Sequence, residues 1–206
     1  MSEITSPARL RELLGAPSER AVKKERVTLH PHDREWISLS PFIVLSTSDA
    51  DGNCDASPKG DPAGFVKVLD DTTLAIPERP GNRRADGYLN ILANPHIGVL
   101  FLIPRRGETL RVNGRARLVE DAPYFDDMVI KGHRPILAIE VQIEQIFFHC
   151  AKSILRSDLW KPEKWAADTL PAQAQIVKDL QPTGQDSLEQ LENFYADQYS
   201  NRLYNA

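Results

Sequence analysis

The sequence is poor in the features that mark several large classes of protein. Its 206 residues include only two cysteines, Cys54 and Cys150, too few for a disulfide framework or a tetrahedral cysteine cluster. The longest apolar run, Ile97–Ile103, is far shorter than the roughly 18–20 residues of a membrane span. No positive segment followed by an apolar one begins the chain, so no signal peptide is predicted. The net charge of −4 excludes a general basic surface for nucleic acid, and a reducing cytoplasm is the expected compartment.

The middle of the chain contains a series of short strand patterns. Phe42–Ser48 is apolar and β-branched, and the turn sequence Asp49–Asn53 separates it from a return strand that begins at Cys54. Apolar and polar residues alternate with a period of two along Glu108–Val119. Further strands are predicted at Gly64–Leu69, Thr73–Ile76, Ile97–Ile103 and Ile136–Phe148. Many short strands with few helices between them favour a mainly β fold, a closed or nearly closed antiparallel barrel.

Helical patterns lie mostly towards the two ends of the chain. Ser6 and Pro7 predict the start of a helix that Gly15 ends, and a second helix is expected near Pro31. After Trp160 the pattern becomes helical again. Two helices are predicted to interrupt the strands, at about Arg84–Ala93 and Pro123–Lys131. We therefore predict an N-terminal helical extension (1–40), a barrel (41–160) and a C-terminal helical extension (161–206).

The first candidate for ligand binding is the stretch Glu78–Pro95. A Pro-Gly-Asn turn delivers Arg83 and Arg84 to the predicted start of a helix. Backbone N–H groups at a helix N-terminus attract anions, and two guanidinium groups beside them suit a phosphate. A solvated loop that carries two arginines is the alternative, and an isolated arginine pair on its own favours that alternative.

Two further stretches place basic residues at predicted strand ends. The return strand ends in Lys59 and a glycine, which would let a ligand approach the backbone, although a simple turn is the better interpretation of this segment alone. Lys152 and Arg156 lie four residues apart after the last strand and would share one helix face. No second ligand stands at metal spacing from His149, so no metal site is predicted, and Cys150 is interpreted as a small buried residue.

Signatures of common catalytic machinery are missing from the sequence. There is no Gly-x-Ser-x-Gly elbow, no Walker loop and no Gly-x-Gly-x-x-Gly after a strand. These absences argue against a dinucleotide-binding α/β domain and against a serine nucleophile of the hydrolase type. No side chain is identified as catalytic.

A series of motifs in chain order carries a resemblance to a known family. They are S-P-K-G-D, D-D-T-T-L-A-I-P, R-P-G-N-R-R-x-D, L-N-I-L-x-N-P, I-G-V-L-F-L-I-P, E-T-L-R-V-N-G-R-A and F-H-C-A-K-S-I-L-R-S-D-L-W. Together they resemble the pyridoxamine 5′-phosphate oxidase-like superfamily of FMN-binding split barrels. More narrowly, they resemble a subgroup of FMN-dependent proteins typified by a Deinococcus homologue. The resemblance covers about Pro41–Trp160 and implies a split β-barrel with flanking helices.

This resemblance also implies roles for individual residues. In the family, an Arg/Lys pair grips the FMN phosphate, and Arg83 and Arg84 occupy that place here. A polar residue of the long strand corresponds to Thr109, with Arg111 beside it on the same face, and His149 stands near the end of the last strand. The remaining matches to cofactor-binding segments of the family or subgroup are Ser57, Pro58, Lys59, Gly60, Ile76, Pro77, Asn90, Lys152, Arg156 and Ser157.

The function implied by the resemblance is that of a homodimeric FMN-dependent oxidoreductase. FMN would lie at the subunit interface and transfer hydride to or from a small-molecule substrate that the sequence does not identify. The arginine and histidine that bind pyridoxal phosphate in the true oxidases have no counterpart. Two alternatives stay open: a non-catalytic flavin- or haem-binding barrel, with His149 as the haem ligand, and a reductase that uses the deazaflavin F420. Phe147, Phe148 and Trp160 are aromatic residues of the kind found in interface cores.

Overall fold

A seven-stranded antiparallel sheet forms the centre of the molecule in the computed structural model, which describes residues 2–196 and 203–204. The strands are β1 (Phe42–Ser48), β2 (Cys54–Gly60), β3 (Lys67–Val68), β4 (Thr73–Pro77), β5 (His96–Leu102), β6 (Thr109–Val119) and β7 (Ala138–His149). Their order in the sheet is β2-β1-β5-β6-β7-β4-β3. The mainly β prediction is therefore confirmed. Only the strand expected at Gly64–Leu69 is much shorter than predicted, because just two of its residues pair with β4.

The two longest strands, β6 and β7, hold the sheet together. β6 pairs with β5 along one edge and with β7 along the other. A register shift between Asn113 and Gly114 lets β7 bend, so that its first half pairs with β4. A side chain at Gly114 is not tolerated, since an added Cβ would lie 2.0 Å from the carbonyl oxygen of Gln142.

Every second side chain of the central strands points into the space enclosed by the sheet and fills it. Along β6, Leu110, Val112 and Ala116 are buried, whereas Arg115 and Arg117 are exposed, as the alternation predicts. The largest fully buried side chains are Phe101, Phe125, Ile37, Ile43, Leu45, Leu74, Ile76, Leu110, Ile139, Ile146, Val99 and Val112. The core therefore comes mainly from inward positions of the central strands, with single contributions from the helices.

Helices flank the sheet in sequence and cover parts of it. The α-helices are α1 (Pro7–Leu14), α2 (Glu19–Lys23), α3 (Pro31–Leu39), α4 (Asp86–Ala93), α5 (Lys152–Arg156), α6 (Gln173–Leu180) and α7 (Leu188–Tyr195). The helices expected after Ser6 and near Pro31 are confirmed, whereas α2 was not predicted. No helix among residues 2–196 and 203–204 is long and apolar enough to cross a membrane. The C-terminal helical extension predicted over 161–206 includes residues 197–202 and 205–206, which lie outside the described residues.

One predicted helix is wrong in type. The segment expected to be helical from Pro123 to Lys131 is a 3-10 helix over Pro123–Met128. Its two buried side chains, Phe125 and Met128, are three residues apart. A 3-10 helix has three residues per turn, so this spacing places both side chains on the core side. Two shorter 3-10 helices follow at Pro162–Lys164 and Ala167–Thr169.

Candidate cofactor-binding site

A cleft of about 720 Å³ lies between β2, the loop that follows β4 and the start of α4. Its volume falls within the range of small-molecule sites. Residues 55–60 form one side of the cleft, and residues 77–88 form the other. Seven of the site residues predicted from the sequence line it together: Ser57, Pro58, Lys59, Gly60, Pro77, Arg83 and Arg84. The sheet thus brings two distant segments of sequence to one concave surface.

Lys59 is held in place by groups from both sides of the cleft. Its Nζ donates a hydrogen bond to the Tyr88 hydroxyl at 2.9 Å and lies 3.3 Å from a carboxylate oxygen of Glu78. The ammonium group is also 4.9 Å from the centre of the Tyr88 ring. Because both partners are mostly buried, Glu78 offsets much of the Lys59 charge. Lys59 can therefore serve a ligand mainly as an oriented hydrogen-bond donor rather than as a free cation.

Arg83 and Arg84 differ in their surroundings. They precede α4 rather than lying in its first turn, because the helix begins at Asp86. Arg84 donates from Nε to an Asp86 carboxylate oxygen at 2.7 Å, whereas Arg83 has no carboxylate partner among the described residues. The backbone of Arg83 and that of Ala85 are left-handed, with φ of 61° and 60°, which costs about 1–2 kcal/mol for each such residue. Arg83 is the uncompensated cation at this end of the cleft.

A second group of predicted residues lies at the paired ends of β6 and β7. Thr109 stands opposite His149, and Arg111 stands opposite Phe147. The guanidinium carbon of Arg111 is 4.2 Å from the centre of the Phe147 ring, and its Nε is buried without a hydrogen-bond partner among the described residues. Burial lowers the pKa of His149, and the neighbouring charges of Arg111 and Lys24 lower it further. This end of the sheet is therefore electropositive.

The remaining predicted residues lie elsewhere. Lys152, Arg156 and Ser157 are exposed on α5 and directly after it, where the short predicted helix is confirmed. Asn90 donates from its side-chain amide to the Thr47 hydroxyl at 3.0 Å, within the protein. Ile76 is fully buried, so its side chain belongs to the core and only its backbone could meet a ligand.

Within a single chain, the predicted site residues therefore lie in two separate places. The first group, at the cleft, includes Lys59 and Arg83, and the second, at the ends of β6 and β7, includes Thr109, Arg111 and His149. None of the residues of the second group lines the cleft.

The interpretation of Cys150 as a buried residue is wrong. Cys150 directly follows the last residue of β7, so its side chain lies outside the sheet and is exposed. Cys54, at the start of β2, is exposed and unpaired as well.

The family model of pyridoxamine 5′-phosphate oxidase matches residues 29–150, which is more than half of the chain. The chain belongs to the pyridoxamine 5′-phosphate oxidase family. The matched region contains all seven strands and both groups of site residues, and it ends before Lys152, Arg156 and Ser157. It leaves out α1, α2 and the chain after Cys150. The split-barrel prediction is confirmed by this match together with the antiparallel sheet.

The solved structures to which the chain is similar include proteins from several bacteria. HupZ of Group A Streptococcus is 20% identical, with 58% of this chain and 93% of that chain covered and a TM-score of 0.47. A candidate pyridoxamine 5′-phosphate oxidase from Lactobacillus delbrueckii is 25% identical, with 59% and 95% covered and a TM-score of 0.46. An FMN-binding protein from Syntrophomonas wolfei is 14% identical, with 57% and 88% covered and a TM-score of 0.42. No curated protein matches the sequence.

Residues at the rim of the cleft were missed by the sequence analysis. The Tyr204 hydroxyl donates to Oδ1 of Asp61, and Nε of Arg79 donates to the other carboxylate oxygen, Oδ2, at 2.6 Å. The hydrogen bond to Asp61, with burial, raises the pKa of Tyr204. The Tyr204 ring stacks on His133 at 6.1 Å between centroids. No motif signals Tyr204, because it lies 143 residues from Asp61 in the sequence.

Proposed function

We propose that this protein is an FMN-dependent oxidoreductase that works as a homodimer. A bound flavin would accept or donate a hydride, while the protein supplies binding, orientation and electrostatics. The observation that carries the proposal is the cleft of this chain, at one end of which Arg83 has no carboxylate partner among the described residues. The family membership supports the choice of flavin, and the site residues support the choice of the phosphate-bearing form.

The residues present fit FMN in two respects. FMN joins a phosphate dianion to a flat and largely apolar ring, so its site needs cationic donors at one end. Arg83 has no carboxylate partner among the described residues and can meet the phosphate, while Lys59 and Tyr88 provide oriented polar groups along the wall. In the second group, the buried Nε of Arg111 has no partner within the described chain. A ligand acceptor at that point would satisfy a donor that is otherwise costly to bury.

The separation of the two groups supports the proposed homodimer. The second group does not reach the cleft of its own chain, whereas the resemblance to the split barrels implies that each flavin touches both subunits. A two-fold arrangement would let α5 and the β6–β7 end of one subunit complete the cleft of the other, and it would create two equivalent sites. Leu155 of α5 is 67% exposed between Lys152 and Arg156, so the helix offers an apolar contact beside its basic residues.

Two finer assignments belong to the same proposal. We place the protein in the cytoplasm, because two exposed and unpaired thiols suit a reducing compartment. We also place it in the subgroup typified by the Deinococcus homologue, because the basic segment after β7 matches that subgroup in Lys152, Arg156 and Ser157.

The test is equilibrium titration of purified apo-protein with FMN, riboflavin and FAD, followed by absorption spectroscopy. We expect FMN to bind most tightly, because riboflavin lacks the phosphate and FAD would force an adenosine phosphate into the same corner. Equal affinity for riboflavin and FMN would refute the phosphate assignment. A single intense Soret band after purification would instead favour haem, and preferential binding of F420 would favour the deazaflavin alternative. Reduction of the bound flavin by NADH or NADPH, or by candidate substrates, tests the oxidoreductase activity itself.

A further inference from the structure

The segment between α2 and α3 is fixed against the sheet at the second group of site residues. The backbone of Arg26 pairs with Ile146 of β7, with N–H···O distances of 3.1 and 2.7 Å. This bridge occupies the edge of β7 beyond the point where β4 ends. The Arg26 guanidinium also forms a two-pronged ion pair with the fully buried carboxylate of Asp33. Asp33 in turn accepts a hydrogen bond from the backbone of His30 at 2.8 Å, so backbone and side-chain contacts together hold the segment.

This anchoring brings Lys24 to the end of β7. Lys24 is half-buried, and its Nζ donates to the carbonyl oxygen of Phe148 at 2.9 Å, across 124 residues of sequence. The same ammonium group lies 4.5 Å from the centre of the Phe147 ring. Arg111 approaches that ring as well, and the His149 ring is 5.1 Å from it. Three basic side chains therefore surround one aromatic ring.

No negative charge of the described chain balances this cluster. Within residues 2–196 and 203–204, no carboxylate lies within ion-pair distance of Lys24, Arg111 or His149. Lys24 retains free donors after its one carbonyl contact, and the side chain of Arg111 makes no hydrogen bond to any described residue. Partly buried cations without a counter-charge are costly, which points to a negative group supplied from outside the chain.

We propose that Lys24, Arg111 and His149 together bind one oxyanion, a carboxylate or a phosphate, of a small-molecule ligand. The proposal rests on the proposed function in one respect, because the oxyanion is either the FMN phosphate, shared with Arg83 of the other subunit, or an anionic group of the second substrate of the flavin reaction. Lys24 comes from outside the stretch 29–150 that matches the family, so this site includes a residue that the family region does not contain.

The test uses inorganic sulfate as the probe, because it is a dianion throughout the titration range of histidine. The pKa of His149 is measured by NMR in apo-protein with and without sulfate, at constant ionic strength, and the His149→Gln variant identifies its resonance. A bound anion favours the protonated ring, so we expect sulfate to raise the pKa of His149. The four other histidines serve as internal controls: His30, His32, His96 and His133.

The decisive comparison is between Lys24→Gln and Lys23→Gln. Lys23 is exposed and pairs with Glu19, so its loss should leave the site unchanged. Losing the charge-assisted hydrogen bond of Lys24 should weaken sulfate binding at least about tenfold. Lys24→Gln should also raise the pKa of His149 in the absence of sulfate, because one repelling charge is removed. Equal behaviour of the two variants, or a uniform shift of all five histidines with sulfate, would overturn the proposal.

Repeating the titration with FMN-loaded protein distinguishes the two sources of the oxyanion. If FMN occupies the site, sulfate no longer raises the pKa of His149 once the cofactor is bound. If the second substrate occupies it, the response to sulfate persists in the loaded protein. A protein that binds sulfate through Lys24 but does not bind FMN would refute the proposed function and leave the anion site standing.

Discussion

The loss of Arg83 gives the sharpest test of the cofactor site. Arg83 is exposed and makes no ion pair within the described chain. Arg83→Ala therefore removes a hydrogen-bond donor to the FMN phosphate without breaking an internal ion pair. A charge-assisted hydrogen bond is worth about 1.5–3 kcal/mol, which corresponds to a tenfold to more than hundredfold weaker affinity for FMN. Replacing Arg84 as well should extend the loss to at least about a hundredfold, because Asp86 would then stand uncompensated beside the phosphate.

Riboflavin provides the control for this variant. It lacks the phosphate, so Arg83→Ala should leave the dissociation constant of riboflavin unchanged while that of FMN rises. Both constants can be measured by quenching of flavin fluorescence, and circular dichroism should show an unaltered fold. The matched variant Arg11→Ala, in exposed α1, should leave both affinities as they are. Equal losses for FMN and riboflavin, or full flavin occupancy in the double variant, would show that the phosphate lies elsewhere.

Three further predictions concern assembly, pH and the sheet. Sedimentation across a dilution series should show a dimer that FMN stabilises by linkage, and a holo-protein that stays monomeric with one flavin per chain would reject the shared site. Burial and the charges of Arg111 and Lys24 lower the pKa of His149 in the folded protein. As the pH falls, the His149 ring is therefore protonated in the unfolded state before it is protonated in the folded state. The free energy of unfolding should consequently decrease as the pH drops below about 6.5. Denaturation midpoints at pH 7.5 and 5.5 should show a smaller difference in His149→Gln. Gly114→Ala should lower the free energy of unfolding by about 3 kcal/mol through its clash, whereas Gly81→Ala, with no atom closer than 3.9 Å, should change it little.

Local sequence patterns predicted most of the strands of the sheet. The hairpin of β1 and β2 follows from an apolar β-branched run, a turn of Asp, Gly and Asn, and a return segment. The period of two in β6 likewise predicted which side chains are buried. Prediction failed where a helix has no apolar face to reveal it, or where contacts with the core decide the type of helix. α2 carries no buried side chain, and the 3-10 helix at Pro123–Met128 takes its form from where Phe125 and Met128 meet the core.

The candidate site could be predicted only in part. The resemblance assigned both Arg83 and Arg84 to the phosphate. Only Arg83 is free of a carboxylate among the described residues, because Asp86 pairs with Arg84. Lys24 and Tyr204 reach the site regions from the two ends of the chain, and nothing in their local sequence indicates that position. Their roles depend on contacts across more than a hundred residues of sequence.

The distribution of unpaired cations links the two halves of the site. Half-buried cations elsewhere in the described chain have internal partners: Arg26 pairs with Asp33, Arg79 with Asp61 and Lys59 with Glu78. Arg111 is different, because its side chain is half-buried and makes no hydrogen bond to a described residue. Burying a donor without a partner costs about 1–3 kcal/mol, more when it is charged, so such a group is retained where a ligand supplies the missing acceptor. In a chain with a net charge of −4, carboxylates are plentiful. The half-buried guanidinium of Arg111, which has none beside it, and the unpaired Arg83 at the wall of the cleft are therefore two places where an external anion is expected.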